Sequence, residues 1–251
     1  MKLFNKILVV ALFAIVAFSS CKKDEIIVAT AGKVGINIDH VWGSTNEEFK
    51  MKTELLHPAL QEKMTFNTFR YYVSNVGMRA KDGSLVILPE SYYIVDLSID
   101  NGNELTLENV PAGEYTGVEI MFGVDSLKSV SGAQTGALSP AEGMFWSWNS
   151  GYIMIKAEGK APTSITGDFV FHLGGFKGEN KVQTTKTFAF DKSLVVNGSR
   201  NAEIYLIANP AKLWHGAEKL ATKSNQKAPG VVAKSMSTNF YGGMLFDRID
   251  N

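Results

Sequence analysis

From Val34 onward the chain is cut into short β-branched and aromatic runs by turns built on glycine, asparagine and aspartate, and this punctuation confines it to sheet architectures. Val34-Gly35-Ile36-Asn37-Ile38-Asp39-His40-Val41-Trp42 alternates with period two, so Val34, Ile36, Ile38 and His40 share one face of a strand. Residues 67–78 form a longer aromatic run. Beyond the Lys81-Asp82-Gly83 turn, strands are expected at 85–88 and 92–99, and beyond Asp100-Asn101-Gly102-Asn103 at 105–107 and 115–122. Sheet-like sequence resumes at 151–156, 165–173, 184–190 and 202–208. Gly174-Gly175-Phe176-Lys177-Gly178 reads as a hairpin turn, since it lacks the phosphate-loop and dinucleotide patterns. A short helix is expected over 210–220 with Pro210 in its first turn. The less patterned stretch 221–251 is expected to lie over an open end of the sheets. So many strands and so little helix predict one all-β domain, either two packed antiparallel sheets or a barrel.

Residues 123–150 break the pattern. They are rich in glycine, serine and alanine, carry Trp146 and Trp148, and show little periodicity. A loop of this length inside a compact domain is more often functional than filler.

The N-terminus reads as an export signal. Lys2 and Lys6 precede an apolar run from Ile7 to Phe18, then Ser19-Ser20 lead to Cys21, the chain's single cysteine. The run is short for a membrane span, which needs roughly 20 residues. Cleavage before Cys21 and a diacylglycerol on its sulfur would anchor the chain by lipid, with 1–20 as signal, 21–31 as tether and 32–251 as the domain. That use of Cys21 excludes a disulfide and a thiolate metal site. Formal charge is zero over the whole chain, and loss of the signal leaves 23 basic against 25 acidic residues. No electrostatic footprint for nucleic acid results.

Enzyme signatures are missing: there is no serine-centred elbow and no paired-histidine zinc motif. The four histidines are therefore weighed individually. His40 falls on the apolar face of the first strand. His172 shares a face with Val170, opposite Phe169 and Phe171. Each reads first as a hydrogen-bonded structural histidine; brought together, two neutral imidazoles would suit copper or zinc. His57 reads as ordinary surface, and His215 as a packing or capping residue. Trp146 and Trp148 would share one side of an extended piece, as a plug over the core or a platform for sugar rings. Met144 adds a soft sulfur that fills a gap or approaches Cu(I).

Phe69-Arg70-Tyr71-Tyr72-Val73-Ser74-Asn75-Val76 resembles the early signature of the MbnP-like copper-binding family of periplasmic and outer-membrane proteins. So do Val110-Pro111-Ala112-Gly113-Glu114-Tyr115, followed by Phe122-Gly123-Val124-Asp125, and Gly136-Ala137-Leu138-Ser139-Pro140 through Gly143-Met144-Phe145-Trp146-Ser147-Trp148-Asn149-Ser150-Gly151-Tyr152. Lys156-Ala157-Glu158-Gly159 and Phe171-His172-Leu173-Gly174-Gly175 continue the match, which spans roughly residues 34–210.

The resemblance implies an antiparallel β-sandwich that binds copper, with one or two short helices and the long tryptophan-bearing loop. It further implies His40 and His172 as ligands, Trp146 or Trp148 as a tryptophan oxidised to kynurenine, and a partner dihaem enzyme related to the MauG group that oxidises it. The polar residues after Cys21 look like an outer-membrane lipoprotein of the Bacteroidota kind, on its periplasmic or cell-surface face. Copper sequestration or delivery by a non-catalytic monomer is the expected role. The competing reading is a surface lipoprotein that binds glycan or peptide through Trp146 and Trp148, and a third is a structural lipoprotein with no ligand.

Overall fold

Burial along the first strand, β1 (Gly32–Trp42), follows its sequence alternation: Val34, Ile36 and Ile38 are fully buried, and His40 and Trp42 nearly so. Each such aliphatic side chain contributes roughly 1.5–3 kcal/mol. A one-residue slip would turn the whole set outward, so this row fixes the register. The computed structural model describes residues 31–44, 47–132, 134–147, 149–198 and 201–251. The expected signal 1–20, Cys21, the tether up to residue 30 and Trp148 lie outside the described residues.

The chain continues through β2 (Glu47–Glu48), β3 (Glu54–Leu56), β4 (Lys63–Ala80), β5 (Leu85–Ile87), β6 (Tyr92–Asp96), β7 (Glu104–Val110) and β8 (Gly113–Phe122). After α1 (Ser126–Val130) come β9 (Phe145–Ser147), β10 (Gly151–Lys160), β11 (Asp168–Gly174), β12 (Thr184–Val196), β13 (Ala202–Ala208) and β14 (Asn225–Gln226). The chain ends with α2 (Val231–Gly242) and β15 (Leu245–Asp250). These strands build an open, all-β sandwich in one domain.

In the smaller sheet β15, β13 and β1 lie side by side, and β7 and β2 pair with the far edge of β1. β1 and β13 run parallel, from Val34 opposite Ala202 to His40 opposite Ala208. Within this sheet the other pairs are antiparallel. A parallel pair needs a long crossover, and here the crossover is the rest of the sandwich.

The larger sheet is organised on β4, 18 residues long. β6 pairs with residues 70–74 along one edge. Along the opposite edge β10 pairs with residues 65–71 and β8 with residues 73–80, so two strands lie end to end against one. The seam is closed by the Gly123 N–H on the Tyr72 carbonyl (3.0 Å) and the Val124 N–H on Met154 Sδ (3.1 Å). Gly123 turns the chain there at φ +112°, a conformation that favours glycine. β11 beside β10 and β12 beside β8 repeat the end-to-end arrangement. The 174–178 segment is therefore no hairpin: it carries the chain onward from β11 to β12, whose partners are different strands.

Residues 125–132, 134–147 and 149–150 leave at the seam and fold back over the outer face. Tyr72 and Tyr152 hold them by donating hydroxyls to the carbonyls of Ala137 (3.0 Å) and Leu138 (2.7 Å). The unpatterned loop is thus ordered by α1, two 3-10 turns and β9.

Between the sheets, rings meet edge to face: Phe69 with Phe240 at 5.4 Å, and Phe171 with Trp214 at 5.3 Å. Phe240 belongs to α2, which buries Ala233, Met236 and Phe240 at helical spacing. The helix expected over 210–220 is only a five-residue 3-10 turn, Pro210–Trp214. Leu213 and Trp214 are both drawn into the core, and Gly216 takes φ +69°, which stops helix propagation. No helix among the described residues is long and apolar enough to cross a membrane.

Candidate metal centre

The outer face of the larger sheet carries a row of charged side chains laid out by strand register. Asp96 on β6 stands opposite Arg70 on β4, Arg70 opposite Lys156 on β10, and Lys156 opposite His172 on β11. Arg70 forms an ion pair with Asp96 at 2.8 Å and donates to the backbone carbonyl of Glu142 at 2.6 Å. Lys156 donates to the Gly143 carbonyl at 3.3 Å, so the excursion is tied to this row at two points.

His172 ends the row. Its Nε2 lies 2.5 Å from a carboxylate oxygen of Glu158, and the same oxygen is 3.9 Å from Lys156 Nζ. A carboxylate accepts from Nε2–H and leaves the lone pair on Nδ1. Metal-binding histidines are commonly oriented in this way. Glu158 is absent from the ligand expectations, because only the β10–β11 register shows that it sits diagonally from His172.

Trp146 lies on the same outer face. The ring covers Gly174, two residues beyond His172 along β11. A methyl group there would stand 2.6 Å from indole Cζ3 and 2.6 Å from the Tyr152 carbonyl oxygen. Gly174 thus permits the close approach of the indole, which is half-buried and packed rather than a free stacking surface. Met144 is fully buried in the core, and its carbonyl accepts from the Ile153 N–H at 2.8 Å.

His40 is not brought to this place. It projects from β1 into the space between the sheets, edge-on to Phe69 at 6.3 Å, with the Tyr71 hydroxyl 3.1 Å from Nε2. Phe171 and Phe169, neighbours of His172, point to that interior while His172 points away. The larger sheet therefore stands between the two imidazoles, and the expected His40–His172 ligand pair is not formed. Alternation along β11 settles the side, and sequence reading left open which face of that strand is covered. Burial holds the His40 pKa down at about 3, against a hydrogen bond to the Ile38 carbonyl that acts the other way. His40 is a neutral core residue on the wall of an open cleft of about 760 Å³ that Asp39, Phe49, Met51 and Asn103 also line.

Of the other two histidines, His57 differs from expectation and His215 takes the capping role expected of it. His57 is 1% exposed, not a surface residue. Its Nε2–H donates to the Ala211 carbonyl (2.9 Å) while Nδ1 accepts from the Ala59 (3.2 Å) and Leu60 (3.0 Å) amides, so both nitrogens are committed. Burial lowers its pKa. His215 has an exposed side chain; its backbone N–H closes the 3-10 turn on the Lys212 carbonyl, and its own carbonyl accepts from the Asn239 side-chain amide at 2.8 Å. Among the described residues no three His, Cys, Asp or Glu side chains converge as a ready-made metal cage.

Comparison with known proteins gives a consistent picture. Residues 31–233 match the family model described as MbnP. The fold is similar to the solved structure of MbnP from Methylosinus trichosporium, with a TM-score of 0.51 at 14% identity, over 80% of this chain and 82% of that one. Among curated proteins none matches this chain.

Proposed function

This chain belongs to the MbnP family and is a copper-associated protein of that kind, and on that footing we propose that it binds copper on the outer face of the larger sheet, through His172 and a donor derived from Trp146. The observation that carries the reading is their placement: Trp146 covers Gly174, and His172 stands two residues away on the same face, its tautomer fixed by Glu158.

The chain's own residues fit a copper ion in part. His172 Nδ1 is the imidazole donor that copper accepts in either oxidation state. Glu158 orients it, and Lys156 limits the negative charge that the carboxylate brings. Among the described residues no three His, Cys, Asp or Glu side chains gather here, so a further donor is needed on the Nδ1 side of the ring. Oxidative opening of the Trp146 indole to kynurenine would supply it, by exposing an aniline nitrogen and a ketone oxygen. A dihaem enzyme of the MauG group is the proposed catalyst, with two equivalents of hydrogen peroxide as the oxidant and the indole C2 carbon leaving as formate, and the tie of the excursion to Arg70 and Lys156 would hold the modified ring in place. Trp148 is the other tryptophan open to that oxidation.

The protein would serve as a non-catalytic monomer for sequestration or delivery of copper. A lipid on Cys21 would hold it at the outer membrane, on the periplasmic or cell-surface face.

The test is metal analysis and intact mass of protein purified anaerobically from copper-supplied cells. Bound copper accompanied by the kynurenine mass change is expected, with both lost in Trp146→Phe and copper lost in His172→Ala. Full copper content in His172→Ala, or copper held with every tryptophan intact, would refute the site.

A further inference from the structure

Basic residues are paired very unevenly along the chain. Nine of the ten lysines and arginines between positions 31 and 160 form ion pairs, Lys52 being the exception. Among the described residues, none of the nine lysines between 177 and 234 does. Segments 177–181 and 212–238 hold seven of these lysines against two carboxylates, Glu179 and Glu218, a local balance of +5 (seven minus two) in a chain of formal charge zero.

The fold gathers these lysines around α2. The solvent face of that helix carries Val231, Lys234, Ser235 and Thr238 at helical spacing, and the helix holds no acidic residue. Lys234 donates to the Glu179 carbonyl, which sets the helix beside the turn flanked by Lys177 and Lys181. Lys223 lines one hollow with Val231 and Val232, and Lys212 lines another with Thr238 and Asn239. Twelve helical residues span about 18 Å, so the charges border an elongated patch with Val231, 76% exposed, at one end of its axis.

Residue type identifies the partner. Protein interfaces are depleted in lysine and enriched in arginine and aromatic residues, whereas these segments carry no arginine and no exposed aromatic ring. Lysine meets phosphate as a point charge, and its stem lies along apolar surface while the ammonium stays in water. An exposed aliphatic side chain among such stems suits the boundary between headgroups and acyl chains.

We propose that this face of α2 lies against an anionic phospholipid bilayer, with the lysines on the phosphates and Val231 in the headgroup boundary. The contact depends neither on copper nor on a lipid at Cys21.

Vesicle flotation tests it. Every described strand and helix falls within residues 31–251, so a chain begun at residue 31 keeps the fold and lacks the apolar N-terminal run. Binding is expected to vesicles that mix phosphatidylglycerol with phosphatidylcholine, to fall as salt rises, and to be absent with phosphatidylcholine alone. Each lysine near such a surface contributes about fivefold in affinity, so Lys181→Gln with Lys227→Gln should weaken binding roughly 20-fold. Lys52→Gln with Lys192→Gln removes the same charge from exposed positions outside the patch and should change binding less than about twofold. Val231→Asp, at an exposed position, should weaken binding severalfold with an unchanged melting temperature. No binding to the anionic vesicles, equal binding to phosphatidylcholine alone, an equal loss in the two lysine pairs, or full binding in Val231→Asp would each overturn the assignment. Capture of polyglutamate at a salt concentration that releases the vesicles would also overturn it, in favour of an acidic protein.

Discussion

Replacing Gly174 with alanine tests the packing on which the outer-face site depends. The added methyl would lie 2.6 Å from Trp146 Cζ3, 3.0 Å from Cη2 and 2.6 Å from the Tyr152 carbonyl oxygen. Carbon atoms rest at about 3.5–4.0 Å, so the overlap with the ring is about 1 Å. The indole can tilt away, but the carbonyl belongs to β10 and is held in the sheet. Overpacking of this kind costs about 1–3 kcal/mol, or roughly 2–12 °C in Tm for a domain of this size. Urea unfolding followed by tryptophan fluorescence measures the loss. The same substitution made in a Trp146→Ala background should cost less, because only the carbonyl clash remains, and the difference should fall within about 0.5–3 kcal/mol. A Gly174→Ala protein within about 0.5 kcal/mol of wild type, or a cost unchanged without the indole, would refute the close packing.

Other consequences can be measured in the same way. With the folded-state pKa of His40 depressed to about 3, the unfolded chain binds the extra proton below pH 6.5. Stability is then complete above that pH and falls by about 1.4 kcal/mol per unit as the pH drops toward 3. His40→Leu should flatten this slope relative to wild type between pH 6 and 4, and an unchanged slope would count against the buried neutral imidazole. Glu62 accepts from the Leu220 (2.6 Å) and Ala221 (3.1 Å) amides and from the Thr163 hydroxyl (3.0 Å). Glu62→Ala should therefore cost about 2–4 kcal/mol by stranding these donors, and denaturant unfolding showing under 1 kcal/mol would contradict that role. Glu158→Ala should weaken copper binding about 10–100-fold by releasing the His172 tautomer, whereas His40→Ala should leave copper affinity as it was.

What could be read in advance depended on how local the signal was. The alternation of Val34, Ile36 and Ile38 places β1 directly, because a strand buried on one face writes its own pattern. α2 was hidden: Val231, Val232 and Thr238 weaken a helical reading, although Ala233, Met236 and Phe240 carry the spacing. The 210–220 segment misled in the opposite sense, since Pro210 opens a helical turn that Gly216 ends at once. The ligand residues show the same limit. Alternation put His172 on the face opposite Phe171, without saying which of the two faces is covered. Whether His40 lay on that side depended on which sheet covers which, a property of the tertiary arrangement. Glu158 emerged only with the strand register, and the packing of Trp146 on Gly174 only with the path of the excursion.

The seam between β8 and β10 separates two kinds of change that a lineage can undergo. Departure and return occur at adjoining positions along β4, so the ladder on either side keeps its pairing whatever the detour contains. Doubling the detour's length adds only about 0.6 kcal/mol of closure entropy. Descendants of this scaffold could thus exchange the whole tryptophan-bearing insert while every neighbouring strand stays in step.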